Sequence, residues 1–120
     1  MRRQELTVTT AADGTATAYS PRLSGKIHSI QYVKLDYTDG VDFTITAEKT
    51  GEAILAKANV NASASFYPRA ATQDQAGAAA LYAADGAAVS DKVGIANDRV
   101  KIVIAQGGNI RSGKFHILVD

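Results

Sequence analysis

The sequence predicts an all-β domain, a β-sandwich or jelly-roll-like fold with about eight short antiparallel strands. Three observations lead to this prediction. Apolar residues alternate with other residues over several short segments, which is typical of strands with one buried face. Asp-Gly pairs, which tolerate the positive φ of tight turns, lie between several of these segments. The two segments with helical propensity are too short to form stable helices alone.

The composition indicates a single domain spanning residues 1–120. The chain contains no Cys, which argues against a disulfide framework and a thiolate metal site. Its 13 Lys and Arg residues nearly balance 12 Asp and Glu residues and are spread along the chain, so we expect no nucleic-acid partner. No apolar run approaches the roughly 18 residues that cross a bilayer, and no apolar signal core follows Met1. We therefore expect a soluble, unprocessed protein with no membrane partner.

The first predicted element is a ribbon at the N-terminus. Glu5–Thr10 and Thr15–Tyr19 are rich in β-branched residues and flank an Asp13-Gly14 pair, which predicts a hairpin. Pro21 ends the ribbon because proline has no N–H to donate to a ladder. Both strands are only weakly apolar. Residues 1–20 are therefore predicted to form an N-terminal arm or edge ribbon, which could pair with a neighbouring subunit.

The next predicted element is a longer strand over Lys26–Tyr37. Apolar residues occupy both of its faces, and Ile27 is out of step with Ile30. A β-bulge near His28 and Ser29 would account for this change of phase.

Two more strands are predicted before residue 61. The Asp39-Gly40 pair predicts a second hairpin, which leads into Val41–Ala47, where apolar and polar residues alternate. The Thr50-Gly51 turn then leads into Glu52–Val60, which we interpret as a strand. A helix over Glu52–Lys57 is the competing interpretation, because these residues have helical propensity.

The middle of the chain has no clear periodicity. Asn61–Gly77 is predicted to be a loop of mostly small residues. Ala78–Ala83 and Ala87–Val93 flank a third Asp-Gly pair, Asp85-Gly86, which predicts a short hairpin. The Ala-rich part of this segment is also compatible with a single helical turn.

Two strands are predicted near the end of the chain, over Arg99–Ala105 and Lys114–Val119. A loop that carries Gly107, Gly108 and Gly113 joins them. Both strands have apolar residues on both faces, which predicts strands covered on both sides.

Few side chains suggest chemistry. Asp36, Asp39 and Asp42 could together bind a hard cation such as Ca²⁺, but their spacing differs from that of the common calcium loop, so we interpret them as solvated turn acids. His28 and His116 have no Cys nearby and no His at metal-ligand spacing, which favours structural roles. No Gly-x-Ser-x-Gly motif indicates a nucleophile. The sequence therefore predicts no enzyme, no catalytic residue, no metal site and no cofactor.

Two loops are the main candidates for contact with other proteins. Tyr67-Pro68-Arg69 combines residue types enriched at interface hot spots with a proline that lowers the cost of ordering a loop. In the alternative interpretation, Phe66 and Tyr67 cap the core and Arg69 pairs with a local acid. The loop at 106–109 could suggest a phosphate-binding loop, but a strand follows it, so we interpret it as a turn beside an exposed basic tip. The residues predicted to lie at a subunit interface are Arg2, Arg3, Tyr67, Pro68, Arg69, Gly107, Gly108, Arg111 and Lys114.

Several segments of residues 25–120 match the pattern of one known group of proteins. They are Asp39–Asp42, Tyr67–Arg69, Ala76–Ala78, Asp98–Ala105, Gly107-Gly108 and Ser112–Phe115. In these segments the chain resembles a family of small tailed-bacteriophage virion proteins that are usually described only as structural. The resemblance implies a non-enzymatic building block, present in many copies in a virion that assembles in the bacterial host cytoplasm.

Three functions are compatible with these observations. The first is a multimeric ring component of the head–tail neck or adjoining tail, such as a connector or collar. The second is a capsid decoration or cement protein. In both, the expected partners are copies of the chain itself and other virion proteins, namely portal, adaptor, tail or capsid proteins. The third is a small carbohydrate-binding β-sandwich module that uses Tyr67, Tyr82 and the aspartates. An assembly role predicts that Arg69→Ala impairs assembly more than folding.

Overall fold

The strands of this chain form two antiparallel sheets, which confirms the predicted all-β fold and is consistent with a β-sandwich. The computed structural model describes all 120 residues, Met1–Asp120. It contains ten strands and no helix. In chain order the strands are β1 (Arg2–Thr9), β2 (Ala16–Tyr19), β3 (Leu23–Lys34), β4 (Val41–Ala47), β5 (Ala53–Val60), β6 (Ala64–Phe66), β7 (Arg69–Ala71), β8 (Ser90–Asp98), β9 (Val100–Ala105) and β10 (Ser112–Val119).

Each sheet has one edge supplied by the first twenty residues. The first sheet has the order β1-β10-β3-β8-β7, and β6 also pairs with β3. The second sheet has the order β2-β9-β4-β5. Strands β1 and β2 are therefore edge strands of different sheets. All strand pairs are antiparallel.

The core lies between the two sheets and comprises 20 buried apolar residues. At its centre, the ring of Tyr32 from the first sheet lies 4.7 Å from the ring of Phe43 in the second. Phe115 lies 5.0 Å from Phe43, measured between ring centroids. Burying a side chain of this size stabilises the fold by about 1.5–3 kcal/mol. The alternating inward residues of β4, β9 and β10 therefore hold the sheets together.

Two of the predicted hairpins are wrong. The Asp13-Gly14 turn connects β1 to β2, and the Asp39-Gly40 turn connects β3 to β4, but in each case the two strands belong to different sheets. Gly14 and Gly40 do have positive φ, at 83° and 89°. The predicted tight turns at Gly14 and Gly40 therefore do form. A tight turn, however, does not determine whether the next strand pairs with the previous one or crosses the core to face it.

Two finer predictions are confirmed. Ser29 pairs with Leu118 while Ile27 pairs with Val119, so that His28 is the extra residue of a β-bulge in β3. The segment after the Thr50-Gly51 turn is strand β5, paired with β4, and the helix considered for it does not form.

The last two long strands are covered on one face only, contrary to the prediction. In β9, Val100, Ile102 and Ile104 are fully buried, whereas Val103 is only partly buried. Leu118 of β10 is likewise partly buried, because its face of the sheet points outward. Partly apolar outer faces are common on protein surfaces, and a single sequence does not distinguish them from a second buried face.

The hairpin predicted around Asp85-Gly86 forms only in part: one antiparallel bridge joins Leu81 and Ala88, and the end of its second predicted strand, from Ser90 onward, belongs to β8. The helical turn does not form, and the only other pairing within residues 72–89 is the isolated bridge between Gln73 and Ala79. We call residues 72–89 the Ala-rich arm. None of the chain forms a helix that is long and apolar enough to cross a membrane.

Candidate interaction surfaces

The predicted basic loop belongs to a closed end of the sandwich. We call this end, formed by loops 10–15, 35–40 and 106–111, the glycine tip. The Thr10 backbone N–H donates to the Arg111 carbonyl at 2.8 Å, and the Gly107 N–H donates to the Gly14 carbonyl at 2.9 Å. The Thr38 N–H donates to the Gly107 carbonyl at 3.1 Å. Backbone hydrogen bonds thus join all three loops.

Gly107 and Gly108 allow this close approach between loops. A Cβ atom on Gly107 would lie 2.8 Å from Cγ2 of Thr10, and one on Gly108 would lie 2.6 Å from Cγ2 of Thr38. Gly108 also has a φ of +93°, a region that residues with a side chain rarely adopt. The Thr10 hydroxyl donates to the Gly108 carbonyl at 2.6 Å. Both glycines therefore contact neighbouring loops of their own chain.

The two basic residues near this tip have different environments. The ammonium group of Lys114 lies 3.1 Å from a Glu5 carboxylate oxygen on β1. The hydrogen bond and charge of Lys114 lower the pKa of the Glu5 carboxyl. Arg111 is exposed and has no carboxylate partner; its Nη1 lies 3.5 Å from the Asp36 carbonyl. Ile110 beside it is 66% exposed. The tip therefore presents one unpaired cation next to one exposed apolar side chain.

The Tyr67-Pro68-Arg69 segment is positioned by the bulge in β3. At this bulge β3 changes partner: its pairing with β8 ends at Ile27, and its pairing with β6, which directly precedes the segment, begins at Ile30. Nη1 of Arg69 donates to the His28 carbonyl at 3.1 Å and to the Pro68 carbonyl at 2.7 Å. A bulge interrupts the regular ladder, so a carbonyl there needs a partner from elsewhere. Arg69 supplies that partner and fixes the start of β7.

The side chains of this segment match neither earlier interpretation completely. Tyr67 is 58% exposed, and its ring contacts the ring of His28 edge-on at 6.0 Å. Pro68 is buried, while Phe66 packs at the margin of the core. Arg69 binds backbone carbonyls and not an acid. Tyr67 is thus the accessible member of the segment, and Arg69 anchors it.

Arg2 and Arg3 lie at the opposite end of the sandwich from the glycine tip. Arg2 pairs with Val119 at one end of the β1–β10 ladder, and Thr9 pairs with Ser112 at the other. Arg2 donates to the Ser24 carbonyl at 3.3 Å, and neither arginine forms an ion pair. The nine predicted interface residues therefore fall into three separate places: the glycine tip with Lys114, the β3 bulge, and the N-terminal end of β1.

The Ala-rich arm is a surface that the sequence interpretation missed. Its backbone is ordered by its own hydrogen bonds. Thr72, Ala80 and Val89 form its base: the Thr72 N–H donates to the Val89 carbonyl at 2.7 Å, and the Ala80 N–H donates to the Thr72 carbonyl at 3.0 Å. Beyond the base are two tight turns, closed by hydrogen bonds from Gly77 to Asp74 and from Gly86 to Ala83.

The arm has almost no contact with the core. Thr72, Ala80 and Val89 are partly buried, and every other residue from 72 to 89 is exposed. Tyr82 is 76% exposed and Leu81 is 44% exposed. Together with Tyr67, they are three of the seven exposed large apolar side chains of the protein. The signal available in the sequence was the absence of any Lys or Arg between Arg69 and Lys92.

The three aspartates considered as cation ligands each have a separate partner. Asp36 accepts from the Ser112 N–H at 2.5 Å, and Asp39 forms an ion pair with Lys34 at 2.8 Å. Asp42 accepts from the Asn59 N–H at 3.0 Å. No group of three or more His, Cys, Asp or Glu side chains is arranged to hold a metal ion.

The two histidines differ in their contacts. Nδ1 of His28 lies 3.1 Å from the Ser29 hydroxyl, whereas Nδ1 of His116 is buried without a hydrogen-bond partner, 3.9 Å from a Glu5 carboxylate oxygen. The largest cleft, about 530 Å³, is lined by residues of β3, β8 and the β4–β5 turn, including Asp98. The Asp98 carboxylate is buried and accepts backbone N–H groups of Lys49 and Arg99. The cleft carboxylate therefore stabilises the adjoining turn.

No protein-family model matches the chain, and no curated protein matches it.

Proposed function

We propose that this chain is a non-enzymatic structural subunit of a tailed-phage virion, a multimeric ring component of the head–tail neck or adjoining tail. The observation that carries the proposal is the contrast between the sandwich and its margins. The core is closed, while one free edge strand and one exposed, ordered arm lie at opposite margins of the same sheet. A repeating subunit needs a rigid body with such surfaces for its neighbours.

The local use of polar groups supports a non-catalytic role. A catalytic site brings an acid–base pair or a nucleophile to a cleft, with geometry suited to a substrate. Here the carboxylate at the main cleft accepts backbone hydrogen bonds, and the two histidines contact Ser29, Tyr67 and Glu5. In this arrangement the contacts of the carboxylate and the histidines are with groups of the fold itself, which supports a structural role for them.

The assignment to a virion rests on the resemblance of residues 25–120 to small tailed-phage virion proteins. In that setting the partners are copies of the chain and adjacent portal, adaptor, tail or capsid proteins. The same features suit a capsid decoration protein, which is the second candidate. The two differ in assembly: a neck or tail component forms a ring of many copies, whereas a decoration protein often forms a trimer.

Two measurements test the proposal. Peptides of this chain should be found in purified virions by mass spectrometry, and cryo-electron microscopy should locate its density in a ring between capsid and tail. Native mass spectrometry of the purified chain should give one high stoichiometry. A stable trimer with density on the capsid surface would favour the decoration role. A lone monomer that is missing from virions would refute both.

A carbohydrate-binding module remains the third candidate because Tyr67 and Tyr82 are strongly exposed. Sugar sites combine such aromatic rings with converging polar groups. The aspartates that would complement them are engaged at Ser112, Lys34 and Asn59. Binding to a glycan array that Tyr67→Ala abolishes would support this candidate over an assembly role.

A further inference from the structure

We infer that the Ala-rich arm of one copy docks on the outer edge of β1 in the next copy, so that subunits join head to tail. The inference rests on the proposed role as a self-assembling subunit and identifies the two surfaces involved. It requires an arm that lacks a partner within its own chain, a receptive edge, complementary charge and a suitable geometry.

The arm lacks a partner within its own chain. Its backbone hydrogen bonds hold residues 72–89 in one shape, but Leu81 and Tyr82 lie exposed on it. Each hydrogen bond contributes only about 1 kcal/mol net, whereas fixing each backbone residue costs about 1–2 kcal/mol. Burial of apolar side chains usually offsets that cost, and within the arm only Ala80 and Val89 are apolar residues that are even partly buried. A neighbouring surface that covers Leu81 and Tyr82 supplies the missing burial.

The outer edge of β1 is the most receptive edge of the sandwich. Its eight residues pair with β10 in continuous register without a bulge, and no strand lies on its other side. The free edge of β2 has only four residues, and β5 is interrupted by register shifts and by Asn59 with a φ of 56°. Short or bulged edges resist pairing, whereas a long regular edge offers a template for another chain.

The direction of the hydrogen bonds in β1 specifies which groups are free. The Thr10 N–H donates to the Arg111 carbonyl, the residue opposite it in the β1–β10 register. Hydrogen-bonded and non-hydrogen-bonded pairs alternate along an antiparallel ladder. Consequently the N–H groups of Arg3, Glu5, Thr7 and Thr9 point away from β10. These four groups are available to a segment of the neighbouring arm.

The charges of the two surfaces are complementary. Residues 70–91 contain Asp74, Asp85 and Asp91 and no Lys or Arg. Asp91 has a cation within its own chain, because it lies 3.8 Å from Lys26. The acids within the arm are thus Asp74 and Asp85. At the N-terminal end of β1, the exposed residues Arg2 and Arg3 have no carboxylate partner. Opposite charges of this kind steer encounter and fix the register of contact.

The strand order places these surfaces on opposite margins of the first sheet. In the order β1-β10-β3-β8-β7, the arm follows β7 at one margin and β1 forms the other. A contact between them is heterologous, so each copy uses one surface to bind and the other to be bound. Such contacts form a closed ring when the rotation between copies closes, and a filament when it does not.

A mixing experiment with two complementary variants tests this arrangement. The arm variant carries Leu81→Ser and Tyr82→Ser, which remove exposed apolar side chains. The edge variant carries Thr7→Pro, which removes one outward N–H and is compatible with an edge strand. Each variant alone should remain monomeric in sedimentation velocity runs. Because each retains the surface that the other lacks, the mixture should form a 1:1 dimer that does not grow.

Further variants serve as controls. Ile110→Ser removes an exposed apolar side chain from the glycine tip and should assemble as the wild type does. Arg2→Glu with Arg3→Glu leaves the outward N–H groups in place and should weaken association by about tenfold or more. Circular dichroism verifies the fold of every variant. The charge variant provides a second test of the edge if proline disrupts β1.

Several outcomes would overturn the inference. They are a wild type that stays monomeric, an arm variant that assembles normally, an edge variant that forms homodimers through its arm, and a mixture that stays monomeric. Virion analysis separates these failures from those of the proposed function. A chain found in virions whose arm variant assembles normally refutes only the arm contact. A chain that assembles through its arm but is absent from virions refutes only the virion role.

Discussion

Two buried tyrosine hydroxyl groups provide a matched test of how the core is stabilised. Tyr37 is 2% exposed, and its hydroxyl donates to the Val8 carbonyl at 2.6 Å. Tyr32 is 1% exposed, and its hydroxyl has no hydrogen-bond partner. Their rings stack 6.2 Å apart, so the two side chains share one environment. Replacing each by Phe removes the same atom in two different hydrogen-bonding states.

Only one of the two substitutions is expected to destabilise the protein. In Tyr37→Phe the fold loses the hydrogen bond from the buried hydroxyl to the Val8 carbonyl, which keeps its place opposite Gly113 in the β1–β10 ladder. A hydrogen bond of this kind contributes about 0.5–1.5 kcal/mol net, so we expect Tyr37→Phe to lower the free energy of unfolding by about that amount. In Tyr32→Phe the substitution removes a hydroxyl that is already desolvated without a partner. Its removal should leave the free energy of unfolding unchanged or raise it by up to about 1 kcal/mol.

Urea unfolding followed by fluorescence measures both effects, with protein concentration held fixed because the proposed self-association would add to the measured stability. The dependence of the unfolding free energy on urea should be the same for wild type and both variants, so that the midpoints report stability directly. Equal destabilisation by the two substitutions would refute the reasoning, as would a larger loss in Tyr32→Phe.

Three further predictions concern pH, packing and the bulge. Burial raises the pKa of Tyr32 to about 12 from its ordinary 10.0, because the buried hydroxyl resists ionisation. The contribution of this raised pKa to the free energy of unfolding should be fully present below pH 10 and should be lost as the pH rises towards 12. Tyr32→Phe should flatten that decline in alkaline urea titrations, and an equal decline in the variant would contradict the assignment. Gly113→Ala would place a Cβ against the Tyr37 ring and should destabilise by about 1–3 kcal/mol, whereas Gly94→Ala, which has space, should change stability by at most about 1 kcal/mol. Similar melting temperatures for the two alanine variants would argue against this packing. Arg69→Ala removes the donor at the β3 bulge near the base of the arm and should weaken self-association while lowering stability by only about 1 kcal/mol. Sedimentation and melting compare the two effects, and a variant that assembles normally but melts early would contradict this expectation.

The alternation of side chains predicted most strands well. Val41–Ala47 has the period of a half-buried strand, and the structure buries Val41, Phe43, Ile45 and Ala47 as expected. The bulge in β3 was also visible, because an insertion shifts the phase of the apolar residues and leaves a local trace. These features depend on neighbours along the chain, and a single sequence records them directly.

The candidate surfaces were harder to predict. That Gly107 and Gly108 lie at a subunit interface stays a prediction, and the sequence did not reveal their contacts with Thr10 and Thr38 across loops that are distant in sequence. The importance of the Ala-rich arm was missed because small residues without periodicity indicate a loop, and they do not reveal whether that loop packs on the body or projects from it. The sequence shows that the arm lacks positive charge, but the charge complementarity proposed for it depends on where Arg2 and Arg3 lie in the fold.

The sequence by itself determined that the chain forms strands, which side of most strands is buried, and where tight turns occur, since each depends on the chemistry of nearby residues. Only the tertiary structure decided which sheet each strand joins. The Asp13-Gly14 and Asp39-Gly40 turns allow either a hairpin or a crossing of the core, and contacts between distant residues select the crossing. The same long-range packing places the arm and β1 at opposite margins of one sheet.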